Sequence, residues 1–297
     1  MDRITRGFKL ARQSWQVLKN DKSLIIFPIL STLFGILALV AIWAPALIVR
    51  GVFEGGQADR HDPVFYIAGA ATAYISTFIA IFFNVALAAC AVRSMRGEDT
   101  RVGEGIKAAG QRIGPILGWT FLTATVGLIL RALKDRLPYL GQIVVDIVGG
   151  AWAIAAFFVV PVIALEGTGP FRSLQRSADV VKARWGESAT GAATISIVTF
   201  LFSVVIAIVG GFTGAALMGT RLLPLGVAVL AATVAAIIVV SFISTALSQI
   251  FRVAVYQYAV TGATPGGFDG RLLQAAFEGH AGPRSPSRAD PVTGHPL

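Results

Sequence analysis

Four polar or charged residues stand within or at the ends of long apolar stretches, where their side chains could carry chemistry. Asp146 is the only carboxylate inside such a stretch, Asn84 lies well inside another, and Glu166 and Arg252 stand at stretch ends. Such side chains are expensive in a membrane and often mark functional sites. One interpretation is a cytoplasmic vestibule lined by Asn84, Glu166 and Arg252. The plainer one gives Asn84 a helix–helix hydrogen bond and Glu166 an ion pair with Arg172 or Arg176.

No motif for catalysis accompanies these residues. The sequence lacks a Walker A loop, His-Glu-x-x-His, Cys-x-x-Cys and Gly-x-Ser-x-Gly. Its single cysteine, Cys90, excludes an internal disulfide, and its three scattered histidines form no ligand cluster. We therefore expect no catalytic residue, no cofactor and no metal, and we predict that the protein is not an enzyme.

The composition indicates an integral membrane protein. Hydrophobic residues make up 55% of the 297, and charged residues only 14%, against about 25% in soluble domains. So few charges cannot cover the surface of a soluble protein of this length. The net charge of +9 fits the excess of Lys and Arg on the cytoplasmic side of membrane proteins. We expect no nucleic-acid partner.

Six long apolar runs lie between the charged segments, and each can form a helix of about 20 residues that crosses the bilayer. We predict an all-α, polytopic fold with one membrane domain over residues 1–278. The predicted spans are residues 24–49, 64–92, 114–131, 143–165, 189–213 and 224–248. The segment 279–297 contains four Pro and three Gly, and we predict that it is a disordered polar tail.

The distribution of basic residues predicts the orientation. Nineteen of the 25 Lys and Arg residues fall in the segments that share a side with the two termini. This bias places the N- and C-termini in the cytoplasm. We expect a multi-pass protein of the plasma membrane, from a prokaryote.

Three short amphipathic segments, 3–19, 101–113 and 171–185, precede spans one, three and five. Their apolar stripes include Phe8, Ala11 and Trp15, then Ile106 and Ala109, then Phe171, Leu174 and Ala178. Such stripes with basic neighbours are typical of helices that lie in the headgroup plane. The predicted lipid contacts are Arg6, Arg12, Trp15, Arg172, Arg176 and Trp185. Alternatively, the stripes pack on the inner ends of the bundle.

Three segments, 9–28, 82–97 and 159–186, carry a family resemblance. Their most specific elements are Asp21-Lys22-Ser23 before Phe27-Pro28, then Phe83-Asn84, then Leu165-Glu166-Gly167 before Arg176-Ser177. From the N-terminus to about residue 279, the chain resembles a family of prokaryotic six-helix membrane proteins known only as a domain of unknown function. The resemblance implies the fold and the topology, and it supplies no activity.

Three classes of function stay open. The first is a non-enzymatic protein that organises the membrane by binding lipids, chiefly anionic ones, or a partner protein; a homo-oligomer fits this class too. The second is a transporter or channel for a small or lipid-like solute, against which the scarcity of polar residues in the spans counts. The third, and least supported, is a membrane-embedded enzyme.

Overall fold

The computed structural model describes residues 3–49, 63–136, 140–184, 188–219 and 222–275. All regular structure within these ranges is helical, without a strand. A short 3-10 turn, Lys22–Ile25, joins the first two helices. The α-helices are α1 (Arg3–Asn20), α2 (Ile26–Val49), α3 (Pro63–Met95), α4 (Val102–Gln111), α5 (Ile113–Arg136), α6 (Leu140–Ala155), α7 (Val159–Glu166), α8 (Pro170–Arg184), α9 (Ser188–Met218), α10 (Leu223–Thr261) and α11 (Gly270–Ala275).

Within the described residues, six helical segments are long and apolar enough to cross a membrane, which is the number that the sequence predicts. They are Lys22–Val49, Pro63–Met95, Ile113–Arg136, Gln142–Glu166, Ile195–Met218 and Leu223–Thr261. The last begins close to the predicted span and continues past its expected end at residue 248. With 39 residues it is roughly 58 Å long at 1.5 Å per residue. Because a bilayer with its headgroups measures about 40–45 Å, part of α10 extends beyond it.

The fourth span is broken between α6 and α7, and Pro161 explains the break. Proline lacks the N–H that would bond four residues back, and its ring clashes with the carbonyl there, which belongs to Phe157. The chain makes a tight turn, in which the Val159 N–H donates to the Ala156 carbonyl at 3.1 Å. The N–H of Phe158 turns instead to the hydroxyl of Ser177 in α8, at 3.0 Å. The break thereby fixes α8 to the fourth span.

The hydrophobic core lies at one end of the bundle. There α1, α4 and α8 meet the C-terminal parts of α3 and α10, and we call this end the base. Its largest fully buried side chains include Leu24, Phe27, Leu87, Ile116, Phe158, Ile163, Ile250, Phe251 and Tyr256. Away from the base, the spans pack chiefly as consecutive hairpins: α2 with α3, α5 with α6, and α9 with α10. Many of their large apolar side chains are exposed there.

A hydrogen-bonded carboxylate sets the angle between α1 and α2. Asp21 follows α1 and caps the 3-10 turn, because its Oδ1 accepts from the Ser23 N–H at 3.1 Å and from the Ser23 hydroxyl at 2.6 Å. Its Oδ2 accepts from the hydroxyl of Thr100, which lies just before α4. The first element of the family resemblance therefore joins the N-terminal helices to the connection between spans two and three.

Candidate functional site

Each of the three helices at the base buries some of its side chains against the protein and leaves a large apolar side chain outside. In α1, Leu10 and Ser14 are buried on successive turns, whereas Trp15 is 45% exposed. Of the predicted stripe, Ala11 packs against the core and Trp15 stays outside, so the stripe coincides only in part with the face that packs. Helix α1 contacts α9 and α10.

The same arrangement recurs in α4 and α8. In α4, Gly105 and Ala109 are buried and Ile106 lies outside. A Cβ on Gly105 would lie 2.6 Å from Phe27 Cζ, so this glycine allows α4 to approach closely. In α8, Ser173 and Ser177 are fully buried, while Phe171 is 73% exposed. The outward face of each helix thus carries an aromatic or branched aliphatic side chain.

Exposed cations accompany these outward apolar side chains. Arg12 lies one turn before Trp15, Lys107 follows Ile106, and Arg172 follows Phe171, and all three cations are exposed. We call these six residues the basal collar. Of the other predicted lipid contacts, the Arg6 side chain and Trp185 lie outside the described residues.

A slot beside Trp15 connects the collar to the sixth span. It is lined by Trp15, Leu18, Lys19, Lys22, Ile25 and Ile243, with a volume of about 170 Å³. Its inner surface is apolar, and the side chains of Lys19 and Lys22 are exposed. An apolar chain with an anionic end matches this lining.

Glu166 lies at a junction of three helices, α7, α8 and α10. Its Oε1 lies 3.2 Å from Nε of Arg176 in α8 and also accepts a hydrogen bond from the Tyr256 hydroxyl of α10. Hydrogen bonds with Tyr256 and Glu166 raise the pKa of Arg176 above its ordinary value. Gly167 ends α7 in a left-handed conformation (φ 64°) with Arg112 packed against it. Of the two arginines predicted as partners of Glu166, Arg176 forms the ion pair.

The other predicted vestibule residues have different surroundings. The Arg252 guanidinium lies 4.8 Å from the centroid of the Phe157 ring. Its Nε and the Oε1 of Gln249, one turn away, are buried without a hydrogen-bond partner. Asn84 lines a crevice whose ten lining residues include neither Glu166 nor Arg252. A vestibule shared by all three stays a prediction. Asp146 is exposed on α6.

The predicted stripes coincide only in part with the faces that pack, since Ala109 is buried whereas Trp15 and Phe171 are exposed. A signal for them exists: small residues four apart, as in Gly105 with Ala109 and Ser173 with Ser177, are typical of close helix packing. The same spacing in Gly210 and Gly214 joins α9 to α10, since a Cβ on Gly214 would lie 2.6 Å from Leu230 Cγ.

Comparison with known proteins gives a family without an assigned activity. The model of a family of unknown function (DUF6159) matches residues 64–267, more than half of the chain. This confirms the resemblance inferred from the sequence, although its first segment, residues 9–28, lies outside the match. No curated protein and no solved structure matches the chain.

Proposed function

The chain belongs to the family of unknown function DUF6159, and we propose that it is a non-enzymatic integral membrane protein that binds anionic lipid through its basal collar. Six apolar helices suggest a multi-pass membrane protein. In our proposal the base faces the cytoplasm and lies at the inner surface of the plasma membrane, where α1, α4 and α8 contact the headgroups.

The outward apolar side chains of the collar carry this proposal. Trp15, Ile106 and Phe171 lie on helices that also hold exposed cations. In water, each would leave apolar surface exposed at a cost of about 25 cal/mol per Å². At a membrane interface the apolar side chain enters the acyl region while the neighbouring cation stays among the headgroups. Each such cation gains about 1 kcal/mol near an anionic surface.

The slot beside Trp15 supplies a more specific contact. The acyl chain of a phospholipid in the slot would lie against Leu18 and Ile243, and the phosphate of the same lipid would lie between Lys19 and Lys22. This places a lipid along the side of the sixth span, with its charged end at the base. The arrangement favours a phospholipid with net negative charge over a zwitterionic one, whose own ammonium would meet the two lysines.

Matched triple substitutions test the proposal. The first variant, R12Q/K107Q/R172Q, removes three cations from the collar. The control, R131Q/K134Q/R136Q, removes three exposed cations from the far end of α5. Native mass spectrometry of detergent-purified protein measures retention of phosphatidylglycerol against phosphatidylcholine. We expect the first variant to lose most of the preference for phosphatidylglycerol and the control to keep it. Equal loss in both, or no preference in the parent protein, would contradict the proposal.

The orientation has its own test. The bias of nineteen Lys and Arg residues to six supports a cytoplasmic base. Reporter fusions after residue 135, on the opposite side, should behave as periplasmic or extracellular, and fusions after residue 98 as cytoplasmic. A cytoplasmic result at residue 135 would overturn the proposed topology.

We also propose that the charged groups at the base are structural. Glu166 is engaged by Arg176 and Tyr256, and Arg93 is paired with Glu98 at 2.9 Å and with Glu104 at 3.0 Å. Carboxylates held in this way join helices and are not placed to accept or donate protons in a reaction. An enzymatic activity that is lost in Glu166→Gln while the melting temperature is unchanged would contradict this assignment.

A further inference from the structure

A crevice lined by polar side chains opens between the first and sixth spans. Helix α3 forms its back with Ala80, Phe83 and Asn84, and α2 and α10 form its sides. Its volume is about 230 Å³. The polar side chains that line it are Ser31, Thr32, Asn84, Ser241 and Thr245.

Three of these polar side chains have no hydrogen-bond partner among the described residues: Ser31, Thr32 and Asn84. The hydroxyls of Ser241 and Thr245 donate within α10, to the carbonyls of Ile237 and Ser241, and keep their acceptor capacity. An amide offers two donors and one acceptor, and a free amide in an apolar medium is costly. The crevice therefore presents donors and acceptors that a ligand can satisfy.

The lining carries no charge, and the crevice opens sideways. None of its ten residues is titratable. Thr32, Ser241 and Thr245 are exposed on the flanks of α2 and α10, within the candidate spans. Asn84 lies eight residues, roughly 12 Å, inside the predicted span limit at residue 92. An uncharged group of a ligand can enter the membrane to this depth at a lower free-energy cost than a charged one.

We infer that the crevice binds the head of an uncharged glycerolipid of the diacylglycerol class. The free hydroxyl of such a lipid can donate to the Asn84 carbonyl oxygen, and its ester carbonyls can accept from the Asn84 amide and from Ser31 or Thr32. Phe27 and Phe83 form an apolar wall for the glycerol backbone. The acyl chains leave through the lateral opening into the bilayer. A phosphate would find no cation in this lining, so the ligand class differs from that of the basal collar, and the inference is independent of the proposed function.

Binding of dioleoylglycerol to the full chain in nanodiscs tests the inference. The variant Asn84→Leu keeps the number and branching of the side-chain heavy atoms and removes the amide. The control Thr77→Val removes an exposed hydroxyl of α3 that donates to the Ala73 carbonyl, away from the crevice. A diacylglycerol with a diazirine close to the ester reports the site after photolysis and peptide mapping. We expect labelling in α2, α3 and α10, with affinity about three- to tenfold weaker in Asn84→Leu and unchanged in Thr77→Val.

Parent-like binding of dioleoylglycerol in Asn84→Leu, or labelling outside α2, α3 and α10, would overturn the inference. So would a parent protein that binds no dioleoylglycerol, because its crevice would then hold water only. If phosphatidylglycerol competed with dioleoylglycerol equally well, the assignment of an uncharged lipid to the crevice would be wrong. The collar variant R12Q/K107Q/R172Q separates the two proposals, because it should lose phosphatidylglycerol and keep dioleoylglycerol. The variant Ala80→Leu, which fills part of the crevice and keeps the Asn84 amide, should also weaken dioleoylglycerol binding if the site is correct.

Discussion

Replacing Gly105 with alanine should weaken the attachment of α4 to the rest of the base. An added Cβ would lie 2.6 Å from Phe27 Cζ, 2.7 Å from Cys90 Sγ and 2.9 Å from the Ala86 carbonyl oxygen. Favourable carbon contacts lie near 3.5–4.0 Å, so the neighbours must move by several tenths of an ångström. Phe27 is fully buried and the Ala86 oxygen belongs to the backbone of α3, so neither can yield freely.

The magnitude follows from comparing two glycines of one helix. Overpacking a close-packed core costs about 1–3 kcal/mol, and alanine gains roughly 0.5–1 kcal/mol over glycine inside a helix. Gly103 has nothing within 4 Å of its added Cβ, so Gly103→Ala should be neutral or stabilising. Because the helical gain applies to both variants, their difference in stability reports the overpacking, about 1–3 kcal/mol.

Thermal unfolding of the two purified variants in the same detergent, at one heating rate, measures this difference. About 2–4 °C per kcal/mol holds for chains of 150–250 residues, so Gly105→Ala should melt roughly 2–12 °C below Gly103→Ala. Gly105→Ser gives an independent comparison and should melt at least as low as the alanine variant. Equal melting temperatures for Gly103→Ala and Gly105→Ala would refute the close approach of α4 to α3.

Further predictions concern the hairpins, the capping carboxylate and the buried guanidinium, all measured as melting temperatures. Gly210→Ala should melt below Gly211→Ala, because a Cβ at 210 meets a side chain of α10 and one at 211 meets nothing; the reverse order would contradict the packing. Asp21→Ala should lose about 0.5–2 kcal/mol, the usual value of a helix cap, and lose its bond from Thr100. Arg252→Met should melt at or above the temperature of the parent protein, because it removes a buried charge whose Nε has no hydrogen-bond partner. A clearly lower melting temperature would show that the guanidinium makes a stabilising interaction.

The sequence predicts the helices well and their contacts poorly. Uncharged runs of sufficient length define the six spans, because the bilayer imposes a minimum length that composition reveals directly. Pro161 accounts for the interruption of the fourth span by an equally local mechanism. These features depend on each residue and its near neighbours, so no knowledge of the fold is needed.

The faces of the basal helices could not be predicted in the same way. The apolar residues of α1 allow several stripes, and period 3.6 alone does not say which one meets the protein. The structure buries Leu10 and Leu18 and leaves Trp15 outside, because burial depends on the surfaces of α9 and α10 that α1 meets, and these helices lie far away in the sequence. The crevice at Asn84 raises the same problem, since Ser31 and Ser241 reach it only through the relative register of separate helices.

The location of the core at the base has a physical cause that bears on lipid binding. Apolar side chains within a bilayer gain little by exchanging lipid for protein neighbours, whereas burial where water reaches is strongly favourable. The second span, whose C-terminal part enters the base, has half of its most apolar window buried, against at most 17% in the other five. In a bilayer the hairpins would therefore depend on the base for their mutual position, and lipid would fill the space between them above it. Gaps between hairpins, such as the one at Asn84, are where a lipid can reach polar groups of this chain from the side.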